Sequence, residues 1–295
     1  MTPGLVVVGH GTRSDAGVDG FLAFLDVVRG LAPGLAVAGG FIELSSPPLA
    51  DAVAGLYAAG HRRLGVVPLV LVGAGHAKGD VPAALERERR RHPGVDFAYG
   101  RPLGPHPDLL AVLDDRLDAA LPRAERPGTA VVLVGRGSTD PDANADVAKT
   151  ARLLYEGRGL STVEPAFISL AEPGVPAALE RCRLLGARRV VVLPYFLFAG
   201  VLPDRVVEQA AAWAAARPEV DVRVAPLLGP DERIARLVLD RYAEALGGDV
   251  RMSCDTCIYR VAMPGFEHRV GAPQRPHDHP DDPAHEHRHE HAHHH

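Results

Sequence analysis

A chain of 295 residues with 46% hydrophobic side chains holds enough apolar material for two domain-sized cores. Its formal net charge of −5 argues against a nucleic-acid or anionic-membrane partner, which would want a basic face. No apolar stretch approaches the roughly 18–20 residues of a membrane span, and no basic region precedes the first short apolar run, so a soluble, cytoplasmic protein with no membrane partner is expected.

The first predicted strand, Leu5–Val8, stops at Gly9-His10-Gly11, followed by Arg13 and a predicted helix over Asp19–Arg29. A second strand, Val37–Ile42, delivers Glu43 at its end, and a helix is predicted over Pro48–Ala59. The third strand, Leu64–Val72, runs toward "GAGHAKGD", which holds His76 and Lys78. A helix over Val81–Arg91 and a strand over Asp96–Tyr99 complete the pattern. Strands apolar on both faces and alternating with amphipathic helices imply a parallel sheet covered on both sides. In such doubly wound α/β sheets, ligands bind beyond the carboxyl ends of the strands.

After a short linker, "PRAERPGT" (122–129), the pattern repeats. "VVVGHGTRSDAG" realigns with "VLVGRGSTDPDA", "FIELSSPP" with "FISLAEPG" and "GHRRLGVVPLVL" with "GARRVVVLPYFL", all at an offset of 126 residues. A fourth match, 102–121 with 227–246, drifts by one residue, and a last helix is predicted over Pro230–Ala245. The expected organisation is a domain over 1–122, a degenerate copy over 129–248, an extension over 249–274 and a His-rich tail over 275–295. That tail has too little apolar material to offset the entropy of ordering and is expected to be disordered.

The duplication acts as an internal control. His10, Glu43 and His76 sit at predicted strand ends of the first copy, whereas the second carries Arg136, Ser169 and Leu202 there. Singly, each has an ordinary explanation: a turn histidine, a capping or salt-bridged carboxylate, a loop histidine between glycines. Three coordinating residue types at three strand ends, all replaced in the sister copy, point instead to one active site on the first half, with the second half as a wall. Two imidazoles and a carboxylate suit a divalent first-row cation, and also acid–base work near neutral pH. A dinucleotide fingerprint is excluded by Ser14 at the third glycine position, and no phosphate-binding G-x-x-x-x-G-K-[ST] occurs.

"VVVGHGTRSDAG", "FIELSSPPL" and "VPLVLVGAGHAKGDVP" together resemble the sirohydrochlorin chelatases, ATP-independent class II chelatases that insert Co²⁺ or Fe²⁺ into sirohydrochlorin for cobalamin or siroheme. The resemblance covers both halves. It implies that His10 and His76 are the metal-binding and catalytic histidines, with Glu43 the acidic residue of the same pocket. It further implies a sirohydrochlorin cobaltochelatase, because "MSCDTC" and the His-rich end resemble the long cobalt form, whose M-x-C-x-x-C motif is associated with an iron–sulfur centre. Co²⁺ is then the substrate metal, with Fe²⁺ and Ni²⁺ as alternatives.

Other residues admit several readings. Arg13, Lys78 and Arg136 are candidates for the carboxylate rim of the substrate, or ordinary solvated loop charges. Cys254 and Cys257 read as half a zinc site (completed by a nearby ligand such as His268), a redox dithiol, or two ligands of an iron–sulfur cluster, which either two subunits of a homodimer share or other ligands complete. Cys182 lies on an apolar helix stripe and is expected in the core. The tail reads as a metal store. Ferrochelatase activity, a non-catalytic metal carrier and a metal-dependent hydrolase are the rival readings.

Overall fold

The computed structural model describes residues 2–248 and 267–271. In the first half, strands β1 (Gly4–Gly9), β2 (Val37–Phe41), β3 (Arg63–Pro68) and β4 (Asp96–Tyr99) form a wholly parallel sheet in the order β2-β1-β3-β4. Helices α1 (Asp15–Leu31), α2 (Leu49–Ala58), α3 (Val81–Arg91) and α4 (Pro107–Ala120) connect or follow these strands. The second half repeats the plan with β5 (Thr129–Gly135), α5 (Pro141–Tyr155), β6 (Thr162–Phe167), α6 (Val175–Leu184), β7 (Arg189–Pro194), α7 (Val201–Ala215), β8 (Asp221–Val224) and α8 (Glu232–Gly247). Its sheet order is β6-β5-β7-β8, the same topology. Among the described residues, no helix is long and apolar enough to cross a membrane.

Strand periodicity builds the layers. Val6 and Val8 of β1 point outward into a core with α2 and α3, whereas Leu5 and Val7 point inward to α1. The inward cores of the two sheets are continuous: Val131 and Leu133 of β5 join Leu5 and Val7 in one cluster with apolar side chains of α1, α4, α5 and α8. On the far side, Ala130, Val132 and Val134 of β5 pack with α6 and α7.

The boundaries between the halves in sequence are not boundaries in space. Helix α4 packs on β7 and α5 of the second half, and α8 packs on β3, β4 and α1 of the first. The exchange is reciprocal down to single side chains. Arg116 of α4 donates to the carbonyls of Leu227 and Leu228, and its counterpart Arg241 of α8 donates to those of Pro102 and Leu103. Each arginine thus satisfies backbone acceptors in the opposite half. The expected linker is itself structured: Arg126 is buried and bridges Asp114 and Asp118 of α4.

Two element boundaries differ from the sequence reading by four residues, and no other by more than two. Helix α1 starts at Asp15 rather than Asp19, because Ser14 accepts a hydrogen bond from the Gly17 amide and caps it. Strand β3 ends at Pro68 rather than Val72, and the next segment leaves the sheet to line a cleft between the halves.

Candidate metal centre

At the carboxyl end of β1 the chain places His10 on the axis of the sheet, and Glu43 follows β2 next to it, with the Glu43 amide donating to the His10 carbonyl. Gly11 allows this approach: its φ is +121°, and a Cβ there would overlap the Glu43 carbonyl oxygen. Ser45 locks the neighbouring loops, accepting from the Thr12 amide at 2.7 Å and donating to the Thr12 carbonyl at 2.5 Å.

His76 is not at the end of a strand. It opens a π-helical turn, His76–Asp80, which runs into α3. Three contacts fix that turn. The Tyr99 hydroxyl donates to the Ala77 carbonyl at 2.7 Å, Asp80 faces His76, and Lys78 reaches into the other half. Burial holds the Tyr99 phenol well above its ordinary range, so it stays a donor.

These elements bring the three predicted residues together. The Nε2 atoms of His10 and His76 lie 2.7 Å apart, with the rings edge-on at 80°. His10 Nδ1 is 3.2 Å from Glu43 Oε1, and His76 Nδ1 is 2.5 Å from Asp80 Oδ2. One ligand atom from each of His10, Glu43 and His76 falls within a 4.8 Å cluster, the one such group of possible metal ligands among the described residues. At 2.7 Å the two Nε2 atoms are within hydrogen-bond distance, with donor and acceptor set by the tautomers of the two rings. The outer nitrogens face carboxylates, which orient both rings. Burial lowers the pKa of His76 against the pull of Asp80, and the Arg136 guanidinium lowers it further, so the neutral ligand form persists below the usual histidine range.

The cluster opens into a cleft of about 630 Å³. Its other wall comes from the second half, around Gly135–Thr139 and Tyr195–Pro203, and includes Arg136 and Leu202, the counterparts of His10 and His76. Ser169, the counterpart of Glu43, keeps the backbone bonds, donating to the Arg136 carbonyl and accepting from the Ala171 amide. Arg13 and Arg136 are exposed and line the cleft.

Lys78 behaves differently from the rim cation read in the sequence. Its side chain is one-tenth exposed, and its ammonium is bonded to Asp140 at 2.7 Å and Asp142 at 3.0 Å. Burial opposes the charge, but the bonds to Asp140 and then Asp142 prevail and hold its pKa above the ordinary value. Lys78 therefore ties the His76 turn to the start of α5. Asp80 is the residue that the sequence reading missed. Its signal was the four-residue spacing in "HAKGD", visible only if that stretch is read as helical. Cys254, Cys257 and the tail lie outside the described residues. Cys182 is fully buried and its thiol is pushed up to about 12, as a core cysteine should be.

The comparisons with known proteins agree with this geometry. The model of the CbiX family matches residues 4–120 and again 130–245. The sirohydrochlorin cobaltochelatase of Priestia megaterium is 36% identical over 262 residues, 88% of this chain and 85% of that protein. The sirohydrochlorin ferrochelatase of the same organism is 30% identical, covering 70% of this chain and 77% of its own. Among solved structures, SirB from Bacillus subtilis with Fe³⁺ superposes with a TM-score of 0.74 at 28% identity, over 84% of this chain and 97% of that one.

Proposed function

The chain belongs to the CbiX family, and on that premise we propose that it is a sirohydrochlorin cobaltochelatase, inserting Co²⁺ into sirohydrochlorin without a nucleotide. The observation that carries this reading is the one-sided donor set: two imidazole nitrogens and a carboxylate on one wall of a cleft, with no such group facing them among the described residues. Three protein donors on one side leave the opposite coordination positions open to a flat ring.

The chemistry follows from the contacts. A first-row ion bound at about 2.1 Å to both histidines needs their nitrogens about 3.0–3.4 Å apart. The 2.7 Å pair must therefore open by a few tenths of an ångström to admit the ion. Carboxylates behind the outer nitrogens hold the rings in place meanwhile. Insertion exchanges the ion for two pyrrole N–H protons, so the net reaction releases two protons per metal. With the ion gone, the His10–His76 pair and Glu43 are the bases within reach to take them. A side chain at Gly9 would meet the Phe41 ring and one at Gly11 the Glu43 carbonyl, so both glycines serve the close packing that sets His10 at the cleft. Arg13 and Arg136, one on each wall, face its carboxylates.

Cobalt is preferred to iron because the cobaltochelatase relative has higher identity over more of the chain than the ferrochelatase relative. The test is anaerobic mixing of protein, sirohydrochlorin and either ion at matched free concentration, followed through the free-base absorption bands. Loss of those bands well above the uncatalysed rate, abolished in His10→Ala and His76→Ala, is expected. A wild-type rate equal to the background sinks the chelatase reading, and faster insertion of Fe²⁺ sinks the cobalt assignment.

A further inference from the structure

Among the described residues, the only non-glycine residues with positive φ are Leu44, at +62°, and Leu170, at +61°. Each is the centre of a three-residue turn: the Ser45 amide donates to the Glu43 carbonyl at 2.7 Å, and the Ala171 amide to the Ser169 carbonyl at 2.8 Å. Such turns are rare and strained for a branched side chain, and Gly or Asn normally occupies them. Both leucines are also exposed, at 49% and 62%, so they are unfavourable by conformation and by solvation together.

The two occupy equivalent places in the duplicated halves, and both line the same cleft, one from each side. Their neighbours have diverged: Glu43 has become Ser169, and Ser45 has become Ala171. The turn backbone has its own explanation in Gly11 and Gly137, which accommodate the carbonyls of Glu43 and Ser169. It does not require leucine. What has been kept between two changing neighbours is an apolar side chain held out into the cleft.

We propose that Leu44 and Leu170 are substrate-positioning residues, a pair of apolar contacts that bear on the tetrapyrrole face from the two halves. The inference rests on the chelatase reading and deepens it. The ring is apolar across its faces and anionic at its edge, so leucines on the ring complement arginines at the rim. Covering about half of each leucine's surface corresponds to roughly a five- to tenfold gain in affinity apiece.

The test uses Leu44→Gly, Leu170→Gly and the double variant in the full chain. Glycine accepts the positive φ, so the melting temperature should stay within about 3 °C of wild type. Leu44→Asn and Leu170→Asn serve as second variants, because Asn also tolerates this conformation and adds no apolar surface. Sirohydrochlorin binding, read by its absorption change without metal, should weaken about five- to tenfold per leucine and roughly multiplicatively in the double variant. KM for the tetrapyrrole should rise accordingly, with kcat at saturation retained and metal affinity unchanged. Unchanged binding in variants of a wild type that does bind sirohydrochlorin overturns this proposal alone. Weakened binding that tracks a falling melting temperature in both the Gly and Asn series overturns it too, by making the role structural. A wild type that fails to bind sirohydrochlorin overturns the chelatase reading, and this inference with it.

Discussion

Replacing Lys78 by Met tests whether the link between the His76 turn and α5 is structural. The ammonium is enclosed by Asp140 and Asp142, both under one-tenth exposed, while Asp146 close by is pushed up by burial and by the Asp142 charge. Removing the cation leaves the buried carboxylates of Asp140 and Asp142 without the ammonium that both bond. Breaking such a pair from one side typically costs about 3–5 kcal/mol. At about 2–4 °C per kcal/mol for a chain of this size class, a loss near 4 kcal/mol lowers the melting temperature by about 8–16 °C. Asp140 also caps α5 through the Asp142 amide, so Asp142 is the partner to change in a double-mutant cycle. Lys78→Met with Asp142→Asn should recover a large part of the loss. Thermal unfolding by circular dichroism reads the stability, and steady-state insertion well below the transition reads whether the His76 turn is still in register. A variant that melts within about 2 °C of wild type while KM for sirohydrochlorin rises would refute the reasoning. It would return Lys78 to the substrate rim.

Three further outcomes are expected. Asp80→Asn removes the carboxylate behind His76 Nδ1 while keeping its size, and should reduce kcat or metal affinity about 10–100-fold without lowering the melting temperature. Arg136→Gln removes a charge that, after burial, helps to hold the His76 pKa down. His76 then protonates at higher pH, so the acid limb of the kcat/KM profile should move up; an unmoved or lowered limb contradicts that role. Gly65→Val places a side chain where the Tyr242 ring lies against β3, and should destabilise the fold by about 1–3 kcal/mol in urea unfolding, with partial rescue by Tyr242→Ala. A neutral Gly65 variant would contradict the docking of α8 on the first sheet.

The parts of this architecture legible in the sequence were those written locally. Two-sided apolar strands announced parallel sheets, and a constant offset announced the duplication. Glycines around His10, and the replacement of His10, Glu43 and His76 in the sister copy, marked the centre. Features that depend on distant partners were opaque. Nothing near Lys78 shows that its carboxylates lie more than sixty residues away in the other half, and a lysine between glycine-rich turns reads as solvated. The exchange of α4 and α8 was invisible because each helix has the same stripe whichever sheet it covers. Its trace was Gly65 inside an otherwise bulky strand, which makes room for Tyr242. The end of β3 was read four residues late because Leu69–Val72 are apolar, yet they are apolar for the cleft rather than for the sheet. Leu44 and Leu170 carried no conformational signal, since leucine is not a residue from which a left-handed turn is inferred.

The asymmetry of the two copies follows from what a chelatase must do with its metal. A centre that only stored an ion would gain from donors on both walls, since each added imidazole raises affinity. A centre that passes the ion to a ring must leave the far coordination positions empty, because the ring nitrogens have to take them. A second histidine pair opposite His10 and His76 would compete with the substrate for those positions. In this cleft the opposing positions hold a guanidinium, Arg136, and an apolar side chain, Leu202. The guanidinium repels a divalent cation while attracting a carboxylate, and the leucine offers no ligand atom. Under the proposed function, the pairs at 10 and 136 and at 76 and 202 divide the labour, with metal donors on the first half and none at the matching positions of the second. The retained pair, Leu44 and Leu170, fits the same proposal, since both halves line the cleft but only one carries the donor cluster. The exchanged helices α4 and α8 pack each half against the other, so both walls of the cleft share one continuous core.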